Sequence, residues 1–297
     1  MLKLTILLLL IFFSFSGMGQ INLTVKEGGF LFMEGNDSIC FFQKSPKDLA
    51  GQFSRCNYIH PLYGIDNSRL TEDFPSDHLH HRGVFWAWHQ VLIDNQPVSD
   101  GWELKSFEQK VVDIEFIQQK RIGYLHTTVE WKSPLWKNGS EAYLLENTSI
   151  TMYPKKNNYR RIDFEIKLKA LVEGLSIGGS DDEKGYSGFS VRLKLPANVT
   201  FSGKSGPVEP INTAVSAGNF IKMNGSFLEN GKKGGVVVQS NPQNPLPNNN
   251  WILRKSASMQ NAVYPGRKPV SIPMNQPLVL KYSLLVFKGD IIGDSVD

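Results

Sequence analysis

Residues 159–170 read YRRIDFEIKLKA. Ile162, Phe164, Ile166 and Leu168 alternate there with Asp163, Glu165, Lys167 and Lys169. A period of two places four apolar side chains on one face of an extended segment and four charges on the other. A 3.6-residue period would instead scatter those apolar residues around a helix. The segment reads as a half-buried strand, and a strand needs neighbours to pair its backbone N–H and C=O groups.

Working outward, comparable runs at 111–117, 126–131, 143–153, 189–195, 235–239 and 278–287 predict those neighbours, and 84–88 predicts another. Clusters of Gly, Pro, Asn and Asp separate them, such as Lys137-Asn138-Gly139 and the Pro/Asn-rich run 241–250. Beyond the first 19 residues, no window of twelve holds a 3.6 period, and no internal repeat is visible. Many strands without helices to cover two sheet faces imply sheets packed on each other. The expectation is an all-β fold: one large antiparallel β-sandwich over residues 20–297, with 241–250 as a surface loop.

The chain has 297 residues, 41% of them apolar and 20% charged, which excludes disordered, collagen-like and disulfide-scaffold classes. Lys and Arg number 32 against 28 Asp and Glu, a formal +4 too dispersed for a nucleic-acid partner. Residues 1–19 read as a signal peptide. Lys3 is the positive start, residues 4–15 are the apolar run, and Gly17-Met18-Gly19 offers small residues for cleavage before Gln20. That predicts a periplasmic or secreted protein with no membrane attachment after cleavage. Cys40 and Cys56 are the only cysteines, so export admits either a disulfide between them or two buried thiols.

Five of the six histidines, His60, His78, His80, His81 and His89, fall between residues 60 and 89. The segment 55–88 (RCNYIHPLYGIDNSRLTEDFPSDHLHHRGVFWAW) adds Tyr58, Tyr63 and Arg82, and its Pro and Gly residues make the first two-thirds a loop laid over a sheet. Imidazole, phenol and guanidinium groups are costly to bury without partners. Three uses compete. His78, His80 and His81 could hold a divalent metal with Asp77 or His60. The imidazoles and tyrosines could act as general acid and base, with Arg82 on an anionic substrate group. Alternatively the histidines only brace the loop. The acid–base use needs no cofactor. Phe85 reads as core, whereas Trp86 and Trp88 have the opposite parity and line either the core or a sugar-stacking pocket.

A second polar segment, 178–192 (GGSDDEKGYSGFSVR), carries Lys184, Tyr186 and Arg192, but taken alone it reads more readily as a solvated hairpin turn than as a site. A third surrounds the Pro265-Gly266 turn, where Tyr264 lies either in a pocket or on a surface turn.

The run His60-Pro61-Leu62-Tyr63, then Thr71-Glu72-Asp73-Phe74-Pro75, Asp77-His78, His80-His81-Arg82-Gly83 and Trp86-Ala87 resembles the DUF6807 family, often labelled methane-oxygenase PmoA-like. Lys184 to Phe189, ending at Arg192, resembles its second motif, so the resemblance covers both ends of residues 55–192. A methane oxygenase subunit would need several membrane spans, and no later apolar stretch reaches 18 residues. The resemblance implies instead an exported Bacteroidetes-type protein of polysaccharide breakdown. Its sandwich would be similar to those of mutarotases and polysaccharide lyases.

On that resemblance, the expected function is a lyase or dehydratase acting by β-elimination on a uronate-ended oligosaccharide. His81 or Tyr186 would be the base and His80 or Tyr63 the acid, with Lys184 in support. Arg82 and Arg192 would hold the carboxylate, and His60, His78, Trp86, Trp88 and Tyr264 would complete the substrate contacts. The alternatives are a sugar epimerase or mutarotase, and a non-catalytic sugar-binding module.

Overall fold

The computed structural model describes residues 19–290; the signal-peptide reading of residues 1–19 lies outside them but for Gly19. Residues 159–170 form one strand, Tyr159–Ala170, whose side chains alternate as the sequence dictates: Ile162, Phe164, Ile166 and Leu168 are buried, whereas Asp163, Glu165, Lys167 and Lys169 are not. The strand pairs with Leu144–Met152 on one side and Leu278–Lys288 on the other, both antiparallel. Burying each of its large apolar side chains contributes roughly 1.5–3 kcal/mol.

Two nine-stranded sheets result. The first runs in the order Ile21–Lys26, Gly29–Glu34, Asp37–Gln43, Tyr58–Leu62, Val84–Trp88, Ser187–Val191, Gln260–Val263, Asn250–Ile252, Val215–Ser216. The second runs Glu108–Gln119, Ile122–Lys132, Leu144–Met152, Tyr159–Ala170, Leu278–Lys288, Gly234–Ser240, Phe220–Gly225, Thr200–Gly203, Gly206–Pro207. A four-stranded sheet (Val270–Ser271, Leu175–Gly178, Gln90–Ile93, Gln96–Ser99) and a two-stranded ribbon (Lys47–Leu49, Gln52–Arg55) complete the strands. No α-helix occurs among the described residues. The protein is an all-β sandwich of large antiparallel sheets.

One contiguous apolar cluster fills the space between the two sheets. Aromatic rings cross it. Trp86 and Phe189 of the first sheet meet Phe164 of the second at 6.2 and 5.0 Å between centroids, and Trp88 meets Trp131 at 5.8 Å. Glu146 lies at the centre of this interface, fully buried. Its Oε1 accepts from Asn57 Nδ2 at 2.7 Å, Trp86 Nε1 at 2.9 Å and Thr148 Oγ1 at 2.7 Å, while Oε2 accepts from Trp131 Nε1 at 3.0 Å. Burial pushes its carboxyl pKa up, and the four donors work against that shift. Cys40 and Cys56 are both free and buried, so the two-thiol alternative is the one realised.

The histidine segment differs from expectation at its start. Tyr58–Leu62 is a strand in the first sheet, pairing with Asp37–Gln43 and, through Ile59 and Val84, with Val84–Trp88. The loop proper is therefore 63–83. Gly83 closes it where the backbone passes so near the neighbouring strand that a Cβ would sit 2.2 Å from the Ile59 carbonyl oxygen.

Candidate functional site

Strand parity divides the Val84–Trp88 side chains. Val84, Trp86 and Trp88 point into the sandwich, whereas Phe85 and Ala87 point outward and join Tyr58, Trp102 and Met259 in a second apolar cluster, with Tyr186 packed on its edge. This corrects the substrate-contact expectation for Trp86 and Trp88, which are 2% and 0% exposed and hydrogen-bond inside the protein. Alternation fixed which residues share a face, but only the sheet's partner could say which face is inside.

The histidine loop lies over this outward cluster. The His78 and His81 rings stack at 4.5 Å and 5° between planes, and His80 meets His81 edge-on at 4.5 Å. His81 contacts Phe85 and Trp102 below it. Trp102 in turn touches Tyr186 at 5.5 Å and stacks on His89 at 5.4 Å. The two polar segments, nearly a hundred residues apart, thus meet around one tryptophan.

Arg192 ties them directly. Its Nη1 and Nη2 donate to the two Asp77 oxygens at 2.9 and 2.7 Å, and its Nε donates to Glu72 at 2.8 Å. Nη1 also lies 3.2 Å from His81 Nδ1. Because guanidinium only donates, His81 Nδ1 accepts and its proton sits on Nε2. Burial, reinforced by its two histidine neighbours and Arg192, drives the His81 pKa far down, so the ring is neutral. At 1% exposure it is a spacer between Arg192 and Trp102, out of reach of a substrate.

His78 has the opposite arrangement. Its Nδ1 is 2.7 Å from Asp77 Oδ2, which fixes the proton on Nδ1 and leaves the Nε2 lone pair free on a side chain that is 43% exposed. Burial tends to raise the Asp77 pKa, yet the hydrogen bonds from Arg192 and His78 outweigh it and hold the carboxyl at about 2. A second such pair lies nearby: His89 Nδ1 is 2.9 Å from Asp100 Oδ2, whose other oxygen accepts from the Trp102 and Glu103 backbone N–H groups. Between them His80 is neutral, its pKa pushed down to about 4 by burial and by the adjacent His78.

The arginines divide by whether their charge is already met. Arg82 is fully buried, with Nη1 donating to the Leu79 and His81 carbonyls, Nη2 to Phe53 O, and its guanidinium 3.4 Å from Asp73. It stacks 3.7 Å over Phe74, whose φ of +49° is an unfavourable backbone conformation for a bulky residue. Arg82 pins the loop, and Arg192 is committed to Glu72 and Asp77. The expectation that these two would hold a carboxylate fails for that reason.

Arg55 and Arg254, which the sequence did not single out, make no ion pair among the described residues. Arg55 is buried over Phe85 with its Nε unsatisfied, donates to Gly101 O, and has its pKa lowered to about 9 by burial and the neighbouring Arg82. Arg254 is half-buried and donates Nη2 to the Tyr186 hydroxyl at 2.9 Å, its other bonds going to backbone carbonyls. Neither guanidinium has a carboxylate within ion-pair distance among the described residues: Arg55 lies over Phe85 beneath the histidine loop, and Arg254 lies against Tyr186.

The remaining expected residues lie elsewhere. His60 bonds Thr71 Oγ1 at 3.0 Å and lines a separate groove with Lys47 and Arg69, its pKa lowered to about 4 by burial. Tyr63 bridges Arg69 through its backbone, and its ring touches none of the histidines. Tyr264 is buried in the sandwich core, so it lies neither in a pocket nor on a surface turn. Lys184 sits on the Asp182-capped turn that positions Tyr186. There Gly185, at φ +65°, packs so close to Arg267 that a Cβ would lie 2.7 Å from its nitrogen. Among the described residues, no three His, Cys, Asp or Glu side chains are grouped as metal ligands.

Fold and site together define a large β-sandwich protein with a polar, positively biased centre on the outer face of one sheet, built from a histidine loop and a distant Tyr–Arg pair. The chain belongs to a family of unknown function, DUF6807, whose profile matches residues 32–297. That match takes in Arg254 and the C-terminal third, where the motif resemblance did not reach. No curated protein matches the sequence.

Proposed function

We propose that this protein is a carbohydrate lyase of the dehydratase type, exported to the periplasm or beyond, acting on oligosaccharides that end in a uronic acid. The observation that carries this reading is an Asp-oriented imidazole, His78, and an Arg-bonded phenol, Tyr186, linked through the ring contacts of His81 and Trp102, in a centre holding two cations without ion-pair partners among the described residues. Such a centre draws an anionic sugar and offers a proton acceptor and a proton donor.

His78 Nε2 takes the proton from C5, next to the carboxylate, and Asp77, clamped by Arg192, orients the ring and stabilises the imidazolium that forms. The electron pair left on C5 spreads into the carboxylate, in the field of Arg254 and Arg55. It then forms the C4–C5 double bond as the C4–O bond breaks. The Tyr186 hydroxyl already accepts from Arg254, so its own proton is available to the departing oxygen, which leaves as water. These roles differ from the sequence expectation because His81 is sealed in and His78 is the ring with a free nitrogen at the surface.

An epimerase is the second reading, favoured by the second Asp–His pair, His89–Asp100, since two oriented bases could remove and return a proton at one carbon. Incubating the protein with saturated uronate-ended oligosaccharides in heavy water separates the readings. Loss of one water with ultraviolet absorbance from the new double bond, abolished in Tyr186→Phe, supports the lyase. Deuterium uptake at unchanged bonding supports the epimerase, and binding with neither change means a sugar-binding module.

A further inference from the structure

A groove of about 570 Å³ opens beside the His78–Asp77–Arg192 chain, with Glu72, Asp77 and Arg192 forming one wall. Its volume suits one or two sugar rings. Leu195, Pro196 and Phe227 give an apolar side, and Ser226 Oγ accepts from Asn198 Nδ2, which leaves its proton free to donate. The acids in the wall are ion-paired: both Asp77 oxygens and Glu72 Oε2 are held by Arg192. Arg69 and Lys194 also line the groove, are exposed, and make no side-chain hydrogen bond or ion pair among the described residues. Arg69 continues into the neighbouring groove of about 660 Å³ that contains His60. Two free cations thus flank a ring-sized channel that starts at the carboxylate orienting the proposed base.

We infer that this groove holds the sugar residue following the reacting uronate, and that Arg69 and Lys194 select a neighbour carrying an anionic group. The inference rests on the proposed placement of the reacting uronate at His78. A sulfate ester or a second carboxylate would supply the anion, since either accepts charge-assisted hydrogen bonds from a guanidinium and an ammonium.

The test is calorimetric binding to the inactive His78→Ala protein, so that turnover is not needed. Three tetrasaccharides with a saturated glucuronate end are compared: unsulfated chondroitin, whose second residue is neutral; chondroitin 4-sulfate; and a glucuronan tetramer, whose second residue bears a carboxylate. At least one charged neighbour is expected to bind about tenfold tighter than the neutral one, with the advantage shrinking as salt rises. Which one wins identifies the anion. Adding Arg69→Gln and Lys194→Gln should erase that advantage and leave binding of unsulfated chondroitin unchanged. Equal affinities for all three, or an advantage that survives the double substitution, overturns the inference. Turnover of unsulfated chondroitin tetrasaccharide by the Arg69→Gln/Lys194→Gln protein is expected to match the parent. If neither protein turns it over while the charged preference stands, the elimination reading fails and the anionic subsite does not.

Discussion

The outward faces of the two sheets are both rich in charge, and they use it in opposite ways. On the second sheet, Arg161 meets Asp163 at 2.7 Å, while Lys167 and Lys281 both meet Glu165, at 2.6 and 2.9 Å. A groove of about 320 Å³ lies among these groups. Every one of those charges has found an opposite charge on an adjacent or alternate strand position, and the pairs are half open to water. On the first sheet, an apolar outward patch is roofed by a loop whose buried histidines, His80 and His81, are neutral, and Arg55 and Arg254 beside it make no ion pair among the described residues. The lesson is that a cavity lined by charge is not by itself a site. A face whose charges are internally balanced gains little from a ligand, whereas one that keeps a buried and a half-buried cation without ion-pair partners has left a partner to be supplied.

The largest test of that contrast is kinetic. His78→Ala removes the proposed proton acceptor and should lower turnover of a uronate-ended oligosaccharide by about 10²–10⁴-fold with little change in melting temperature. Unchanged turnover would end the case for the first face. Next in size is Arg55→Met, which keeps an unbranched apolar side chain over Phe85 but deletes a desolvated charge. The fold should be as stable or more so, because the cation has no buried counter-ion to lose. KM for the anionic substrate should rise by about tenfold. A Met variant that unfolds would show that Arg55 holds the structure and does not wait for a ligand.

The smallest effect separates the faces by pH. Burial lowers His60 and His80 to about 4, so between their ordinary value of 6.5 and that value the unfolded chain binds protons that the folded one refuses. Stability should therefore fall as pH drops through this window. Glu165 is different: its hydrogen bonds to Lys167 and Lys281 lower its pKa, so its contribution is lost only below the ordinary 4.5. Melting curves should lose stability from pH 6.5 downward, less steeply in a His60→Gln/His80→Gln variant. Glu165→Gln should leave that slope alone and shift stability at neutral pH by less than about 0.5 kcal/mol.

Much of the fold was legible because strand periodicity is local. Tyr159–Ala170 has the boundaries that its alternation predicts, and Val84–Trp88 those read for the strand after the histidine loop. The opening strands Ile21–Lys26, Gly29–Glu34 and Asp37–Gln43 were not anticipated, although their two-residue connections Glu27-Gly28 and Gly35-Asn36 carry a hairpin signal, with Gly28 and Gly35 at positive φ. Of the site, the sequence showed the histidine cluster and Tyr186. It did not show Asp100 and Arg254, because neither stands in a motif and each gains meaning only from its neighbour, His89 or Tyr186. Asp77 was visible as an acid beside the histidines, but its role as the orienter of His78 depends on Arg192, 115 residues away.

By itself, then, the sequence determined which side chains share a strand face, that those strands must pack as sheets, and that one loop concentrates imidazoles. Those are consequences of backbone geometry and of the cost of leaving apolar surface in water, and both act over a few residues. Tertiary structure alone decided that Trp86 and Trp88 face inward while Phe85 faces the loop, that Arg82 and Arg192 are already neutralised, and that Arg55 and Arg254 are not. Charge balance and burial belong to whatever surrounds a group in space, and for these residues the surroundings come from strands and loops far away along the chain.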